Sequence, residues 1–372
     1  MKKLSPELAV YNFDASQIEG FVEKVVIPKD VFSLVDFVKR HENITPRGAG
    51  TGLSGGAVPK EGAVVDMSQM NKIVKFEKAK GFVIVQAGIV LDDLNSELGN
   101  YFFPVIPASH SVCTIGGMIA TNAVGTYSLR FGRTIDWVEE LKIIDGAGKL
   151  RTINKSDIKD FCGREGTSGI IVEAKLKVAE RPKVKSLDLK SFNTITGVIK
   201  EVKRLVSKNE TLTLEMLDKL SAKILGLDER YYLISEYTDN SGSITNEEKM
   251  NYVRELREKL YPELSSKGYV RIEDPLLGLN YMPELFKFLE SKNIPYFGHI
   301  GAGIIHPCFK VNSQELIDSM MELVTRLNGK VTGEHGFGLV KKKYVDKNLR
   351  KEIIELKKKY DSYRIMNRGK II

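Results

Sequence analysis

The chain has 372 residues, 42% of them hydrophobic, and a formal charge of +8, which suits two domains of roughly 100–200 residues with cores of their own. No apolar run of about 18 residues occurs, and Met1-Lys2-Lys3-Leu4-Ser5-Pro6 has no apolar stretch behind its lysines, so neither a membrane-spanning helix nor a signal peptide is expected. Cys113, Cys162 and Cys308 are widely spaced and form no CxxC pair, which excludes a disulfide framework and an internal iron–sulfur or Cys-rich zinc site and points to the cytoplasm.

Asp30 reads as the N-cap of a helix with Val31, Leu34, Val35 and Val38 on its apolar stripe, closing at His41. Val64-Val65 and Val83-Ile84-Val85 read as short strands separated by a charged, turn-rich stretch. Leu91, Leu94 and Leu98 mark a second helix. Leu141–Ile144 and Ile170–Val172 are strands, with a turn at Gly146-Ala147-Gly148. Arg181-Pro182 ends a strand and the composition changes: to about Val270, glycine is sparse and charge is dense. The stripe Ile195, Val198, Ile199, Val202, Leu205, Val206 is helical, Tyr231–Ile234 a strand and Asn240–Ser243 a loop. A late helix carries Leu316, Ile317, Met320, Leu323, Val324 and Leu327, and Gly329 can terminate it. The runs Lys341–Lys343 and Lys357–Lys359 read as solvated helix faces. They lack interleaved aromatics, so nucleic acid is a poor partner.

Residues 46–56, Pro-Arg-Gly-Ala-Gly-Thr-Gly-Leu-Ser-Gly-Gly, contain a formal GxGxxG match from Gly50 to Gly55. A Rossmann loop opens a helix, whereas here Pro59, Gly62 and the strand Ala63-Val64-Val65 follow. A P-loop fails because no Gly-Lys-Ser/Thr follows. What remains is a loop whose successive N–H groups can curl inward as an anion-binding nest. A second loop spans residues 104–125 and a third Gly163–Ile170. Together they suggest a long, phosphate-containing ligand.

These three segments resemble the FAD-binding domain of the vanillyl-alcohol oxidase/PCMH superfamily, and within it the branch of the glycolate oxidase FAD subunit and D-lactate dehydrogenase. The resemblance continues to Asn367-Arg368-Gly369-Lys370, similar to a closing Asn-Pro-Gly-Lys. It implies an α+β fold: a two-part PCMH-type FAD-binding domain over residues 1–182, and a smaller, shortened α+β cap domain with an antiparallel sheet over 183–330. A C-terminal segment, 331–372, carries Glu334-His335 and returns to the FAD domain. The cofactor contacts implied in the first loop are Pro46, Arg47, Gly48, Ala49, Gly50, Thr51, Gly52, Ser54 and Gly55. In the second they are Pro107, Ala108, Ser109, Thr114, Gly116, Gly117, Asn122, Ala123 and Gly125. In the third they are Glu165, Gly166, Gly169 and Ile170, with Asn367 near the end of the chain. Residues 46–56 contain neither His nor Cys, so FAD is expected to be non-covalent. His110 reads as structural.

Of five histidines, three fall close together, in Gly298-His299-Ile300-Gly301-Ala302-Gly303-Ile304-Ile305-His306-Pro307 and Gly333-Glu334-His335-Gly336-Phe337-Gly338. These resemble the family's Gly-His-x-Gly-x-Gly-x-x-His-Pro and Gly-Glu-His-Gly-x-Gly. By that resemblance His299, His306 and Glu334 hold one divalent metal, with Zn, Mn and Fe all suited to two imidazoles and a carboxylate, and His335 is the general base. An imidazole suits that role because its pKa lies near neutrality. Ala302 and Ile304 stand where many relatives have Asp and Asn, which suggests either a larger or more apolar substrate or an altered site. Arg254, Arg257, Arg271 and, less readily, Arg364 are candidates to bind a substrate carboxylate.

The function implied is FAD-dependent oxidation of a small 2-hydroxy acid to the 2-oxo acid, with an iron–sulfur, quinone or cytochrome electron acceptor. The competing reading is an electron-transfer subunit of a larger complex with an iron–sulfur partner. A homo-oligomer and a cytoplasmic location, with peripheral membrane contact, complete the expectations.

Overall fold

A computed structural model describes residues 6–372; the Lys2-Lys3 segment lies outside them. The chain forms two compact units. One comprises the residues up to Val124, Arg133–Arg181 and Glu334–Ile372, and the other Gly125–Gly132 and Pro182–Gly333. The short stretch Gly125–Gly132 therefore groups with the second unit, not with the residues around it, and the later division falls at 333/334 instead of 330/331.

In the first unit, Ile44–Arg47 and Lys24–Val26 flank Ala63–Asp66 in a parallel sheet, with Ile44 opposite Ala63 and Lys24 opposite the same residue. Adjacent parallel strands need a long connection. Here the connection is residues 48–62, so the first glycine loop stands at the C-terminal end of Ile44–Arg47. An antiparallel sheet runs in the order Ile73–Glu77, Phe82–Gln86, Ile170–Lys177, Val138–Ile144, Leu150–Asn154. Its inner face carries Val83, Val85, Leu141, Ile143 and Leu176. Against them pack Leu94 of the helix Leu91–Glu97, Met118 and Ile119 of Ile115–Thr121, and Ile353 and Leu356 of Lys347–Tyr360.

Most of the expected elements form. The helix Val31–Val38 starts at Asp30, whose carboxylate accepts from Ser33 N at 2.7 Å. Several elements were not anticipated, among them Lys24–Val26, Thr211–Leu217 and the helix Glu247–Ser266, and two more run against their local sequence. Ile73–Glu77 is a sheet-edge strand inside the charged stretch, with a bulge that interrupts its alternation. Ile115–Thr121 is a helix inside the second glycine-rich segment, against the poor helix propensity of Gly116 and Gly117. Thr114 caps it by accepting from Gly117 N at 3.3 Å.

The second unit is built on an antiparallel sheet in the order Ser186–Phe192, Tyr231–Tyr237, Thr211–Leu217, Tyr296–Gly298, His306–Phe309, Arg271–Ile272. Every residue of Thr211–Leu217 and Tyr231–Tyr237 is buried. The helix Ile195–Val206 covers both strands with Val198, Ile199, Val202 and Leu205, and Glu247–Ser266 packs beside Ser186–Phe192. The late helix Gln314–Arg326 ends at Asn328, which takes the left-handed conformation (φ +56°) expected of Gly329. Gly329 N then bonds to Val324 O at 2.8 Å. No helix among the described residues is long and apolar enough to cross a membrane.

Leu141 is fully buried in the first core. Leu141→Ala should lower unfolding stability by about 2–5 kcal/mol in urea titration followed by far-UV circular dichroism; a loss below about 1 kcal/mol would contradict this packing.

Candidate functional site

The three glycine-bearing segments converge in the first unit. Gly48 lies so close to Thr114 that an added Cβ would sit 2.3 Å from its Oγ1, which joins the first loop to the second. Gly166, at φ +70°, packs on the Pro46 ring, with its Cβ position 3.2 Å from Pro46 Cγ, which joins the third loop to the first. Gly163 N and Glu165 N donate to Ile119 O and Ala120 O at 3.0 and 2.8 Å, which seats the third loop on the end of the Ile115–Thr121 helix. Gly52 is different: a Cβ added there meets nothing within 4 Å. The loops thus pack on one another while Gly52 faces open space, as a cradle for a ligand approaching backbone amides requires. This arrangement fits an extended dinucleotide.

The other expected contacts divide. Ala49 is exposed; Thr51, Pro107 and Ser109 are half-buried and Ala108 is exposed, within the turn closed by His110 N to Pro107 O at 3.0 Å. Gly50 and Gly55 adopt positive φ, +72° and +80°. Gly116 approaches Ala87, and Gly117 sits beneath the Thr114 cap. Asn122 ends the helix in the left-handed region, and its Oδ1 accepts from Ile135 N at 3.0 Å. Ala123 O accepts from Thr134 N. Gly169 passes close to Ile144 O, and Ile170 begins its strand. Gly125 belongs to the second unit. The Arg47 guanidinium turns to the protein, donating to Phe13 O at 2.8 Å and Ala57 O at 3.3 Å and lying over the Tyr11 ring.

The C-terminal segment is stitched into these loops. Asn367 Nδ2 donates to Gly56 O at 2.9 Å and to Glu165 O at 2.6 Å, and its own N–H donates to Ile44 O. Ser54 Oγ donates to His335 O at 2.8 Å. Glu165 Oε1 accepts from Phe337 N at 2.7 Å and Gly338 N at 3.0 Å. Lys370, fully buried, donates to Val58 O and to Asn367 Oδ1. Burial pushes the Glu165 carboxyl up to about 7 against these two amides, and lowers the Lys370 ammonium to about 8 against the pull of Glu165 and Asp14. Sequence reading missed Lys370; its place within the closing motif was the available signal.

In the second unit, His299 and His306 face each other with ring centroids 5.4 Å apart and planes at 88°. Glycines beside and between them make this close return: Gly298 at φ +148° lies against Ile304 O and Ile305, and Gly303 at φ +80° against Leu277 O. His299 Nδ1 bonds to Glu215 Oε1 at 2.5 Å, and His306 Nδ1 approaches Glu273 O at 3.3 Å. An Nδ1–H donor leaves the lone pair on Nε2, the tautomer a metal ligand needs. Glu215 lies in a strand whose every residue is buried, and Arg257 binds its other oxygen at 3.2 and 3.1 Å. Burial resists ionisation of this carboxyl, yet His299 and Arg257 hold it below the ordinary range.

Glu334 follows Gly333 directly. Asp274 fixes Gly333 by accepting its N–H at its carboxylate (2.9 Å) and at its carbonyl (2.7 Å), and its carboxylate takes Thr332 Oγ1 at 2.9 Å. The paired imidazoles of His299 and His306 suit a divalent metal, and Glu334 is the residue next to the fixed Gly333. His335 Nε2 lies 3.4 Å from Glu334 Oε1. Ile304 is fully buried against Gly333, so its apolar side chain serves packing. Of the arginine candidates, Arg254 pairs with Glu236 at 2.6 Å, Arg257 with Glu215, and Arg271 with Glu273 at 3.4 Å and Gln314. Arg364 is placed by its positive φ in a turn closed onto Asp361. His110 pairs with Asp92.

The FAD binding domain family matches residues 22–154, and the family of FAD linked oxidases, C-terminal domain, matches residues 233–371. The glycolate oxidase subunit GlcD of Bacillus subtilis is 27% identical over 430 residues, covering 97% of this chain and 92% of that protein. A D-2-hydroxyglutarate dehydrogenase of Stutzerimonas stutzeri is 27% identical, covering 93% and 90%. A D-lactate dehydrogenase of Anaerostipes hadrus is 26% identical, covering 88% and 84%. A solved alkyldihydroxyacetonephosphate synthase aligns with a TM-score of 0.68 at 16% identity over 92% of this chain and 75% of that one, a likeness of fold. With the two domains of that family matched in tandem, the second of them containing all three clustered histidines, the chain belongs to the FAD-linked oxidases and is an FAD-dependent oxidoreductase.

Proposed function

We propose that this oxidoreductase oxidises a small 2-hydroxy acid, of the D-lactate or glycolate kind, to the 2-oxo acid. The observation that carries the reading is the adjacency of Glu334 and His335, which puts a carboxylate and an imidazole side by side. The names of the relatives support it, because glycolate, D-lactate and D-2-hydroxyglutarate share the 2-hydroxy acid group. The word "subunit" in one of them keeps open an electron-transfer role beside an iron–sulfur partner. Turnover of the isolated chain with an artificial dye favours the first; turnover only with a partner protein favours the second.

Bound non-covalently across the three loops, FAD would supply the two-electron acceptor for the substrate Cα hydrogen. A divalent cation on His299, His306 and Glu334 would supply a Lewis acid for the substrate oxygens. The chain's own residues do the rest. Backbone amides of residues 48–56 would hold its diphosphate, for which the open space at Gly52 leaves room. Glu215 holds the His299 ring by Nδ1. With Nε2 toward Glu334 Oε1, His335 takes the substrate hydroxyl proton at Nδ1. An iron–sulfur, quinone or cytochrome acceptor would take up the electrons.

Gly52→Val should fold but retain little flavin, because its side chain fills the open space; flavin absorbance per mole of protein equal to wild type would misplace the first loop. His335→Ala should stay yellow while anaerobic flavin reduction by the hydroxy acid slows about 10²–10⁴-fold, measured by stopped-flow absorbance. An unchanged rate removes His335 from the role of base. Glu215→Gln should weaken Mn²⁺ or Zn²⁺ binding about 10–100-fold in isothermal titration calorimetry; unaltered affinity would mean that Glu215 does not orient His299 for a metal.

A further inference from the structure

The backbone carrying His335 is gripped from two sides by residues of the glycine loops. On one side, buried Ser54 donates from Oγ to His335 O at 2.8 Å, and its carbonyl accepts from Leu339 N at 2.8 Å and Val340 N at 3.1 Å. On the other, Glu165 Oε1 accepts from both Phe337 N and Gly338 N. The grip is close. A Cβ on Gly336 would lie 2.6 Å from Glu165 Oε1, and one on Gly338 would lie 2.1 Å from Ser54 O. Side chains expected to touch flavin are therefore engaged with the backbone of residues 335–340. In its ionised form, a carboxyl taking two amides makes bonds roughly twice as strong as neutral ones. The loops that supply these acceptors pack on each other but leave the space beside Gly52 open.

We infer that Ser54 and Glu165 are positioning residues that couple flavin occupancy of the first and third loops to the placement of the His335 segment. A ligand that orders the two loops also orders their acceptors, and the segment they hold loses freedom with them. The catalytic consequence rests on the reading of His335 as base; the mechanical coupling does not.

Hydrogen exchange of peptides covering residues 335–340, with and without FAD, reads the coupling directly. FAD should slow exchange at Phe337, Gly338, Leu339 and Val340 about tenfold or more in the wild type. Glu165→Ala, loaded with FAD, should lose that protection at Phe337 and Gly338, and Glu165→Gln, which keeps a carbonyl acceptor, should regain it. No FAD-dependent slowing in the wild type, or equal behaviour of Ala and Gln, overturns the inference. If Glu165→Ala does not fold, Ser54→Ala carries the test. It should bind FAD stoichiometrically and reduce it about 10–100-fold more slowly with unchanged KM, and a wild-type rate overturns the inference. Should FAD-dependent protection appear while His335→Ala reduces flavin normally, the coupling is supported and the base assignment alone fails.

Discussion

One side-chain amide, that of Asn367, donates to carbonyls of two different loops, Gly56 O and Glu165 O. The arrangement of the first unit depends on this joint. Loops dense in glycine gain little from side-chain packing and lose much backbone entropy when ordered, so they need fixed partners elsewhere in the chain. The C-terminal segment provides them: Asn367 bridges the first and third loops, and Lys370 takes Val58 O. Ile371 N closes on Gly338 O. The same segment bears His335, so the elements that brace the cofactor cradle also position the candidate base.

The second unit meets a different constraint. Glu215 places a charge in a fully buried strand, where each desolvated ion costs several kcal/mol and the Coulomb attraction of partners roughly offsets it. Its pairs with His299 and Arg257 are therefore a weak source of net stability. Their effect is orientational: the carboxylate selects the His299 tautomer and fixes its ring, and Arg257, which also lies over the Phe297 ring, anchors the carboxylate. Phe297 in turn packs beside His306. A polar chain thus ends on His299 and an apolar one on His306.

Much of the site was legible because its chemistry is local. Glycine runs without a following helix, and histidines spaced by glycines, announce themselves in a few consecutive residues. What stayed hidden depended on distant partners. The Ile115–Thr121 helix contradicts its own glycines, and Gly116 is there because Ala87 leaves room for nothing larger. Ile73–Glu77 has too little alternation to be read as a strand and forms by pairing with Phe82–Gln86. Glu215 could have been found as the single charge in Thr-Leu-Thr-Leu-Glu-Met-Leu. Ile304, read as a change in the substrate pocket, is a core residue against Gly333.

By itself, the amino-acid order determined the mixed α+β character, a break near Pro182 and the candidate residues for a diphosphate and a metal, because those readings rest on short-range backbone freedom and donor chemistry. Only the tertiary structure decided which side chains serve the ligand and which serve the scaffold. Ser54, Arg47 and Glu165 are polar residues in ligand-like loops, yet their groups turn to backbone carbonyls and amides far along the chain. The physical reason is that a buried polar group must be satisfied wherever a partner lies, and sequence separation carries no information about that distance.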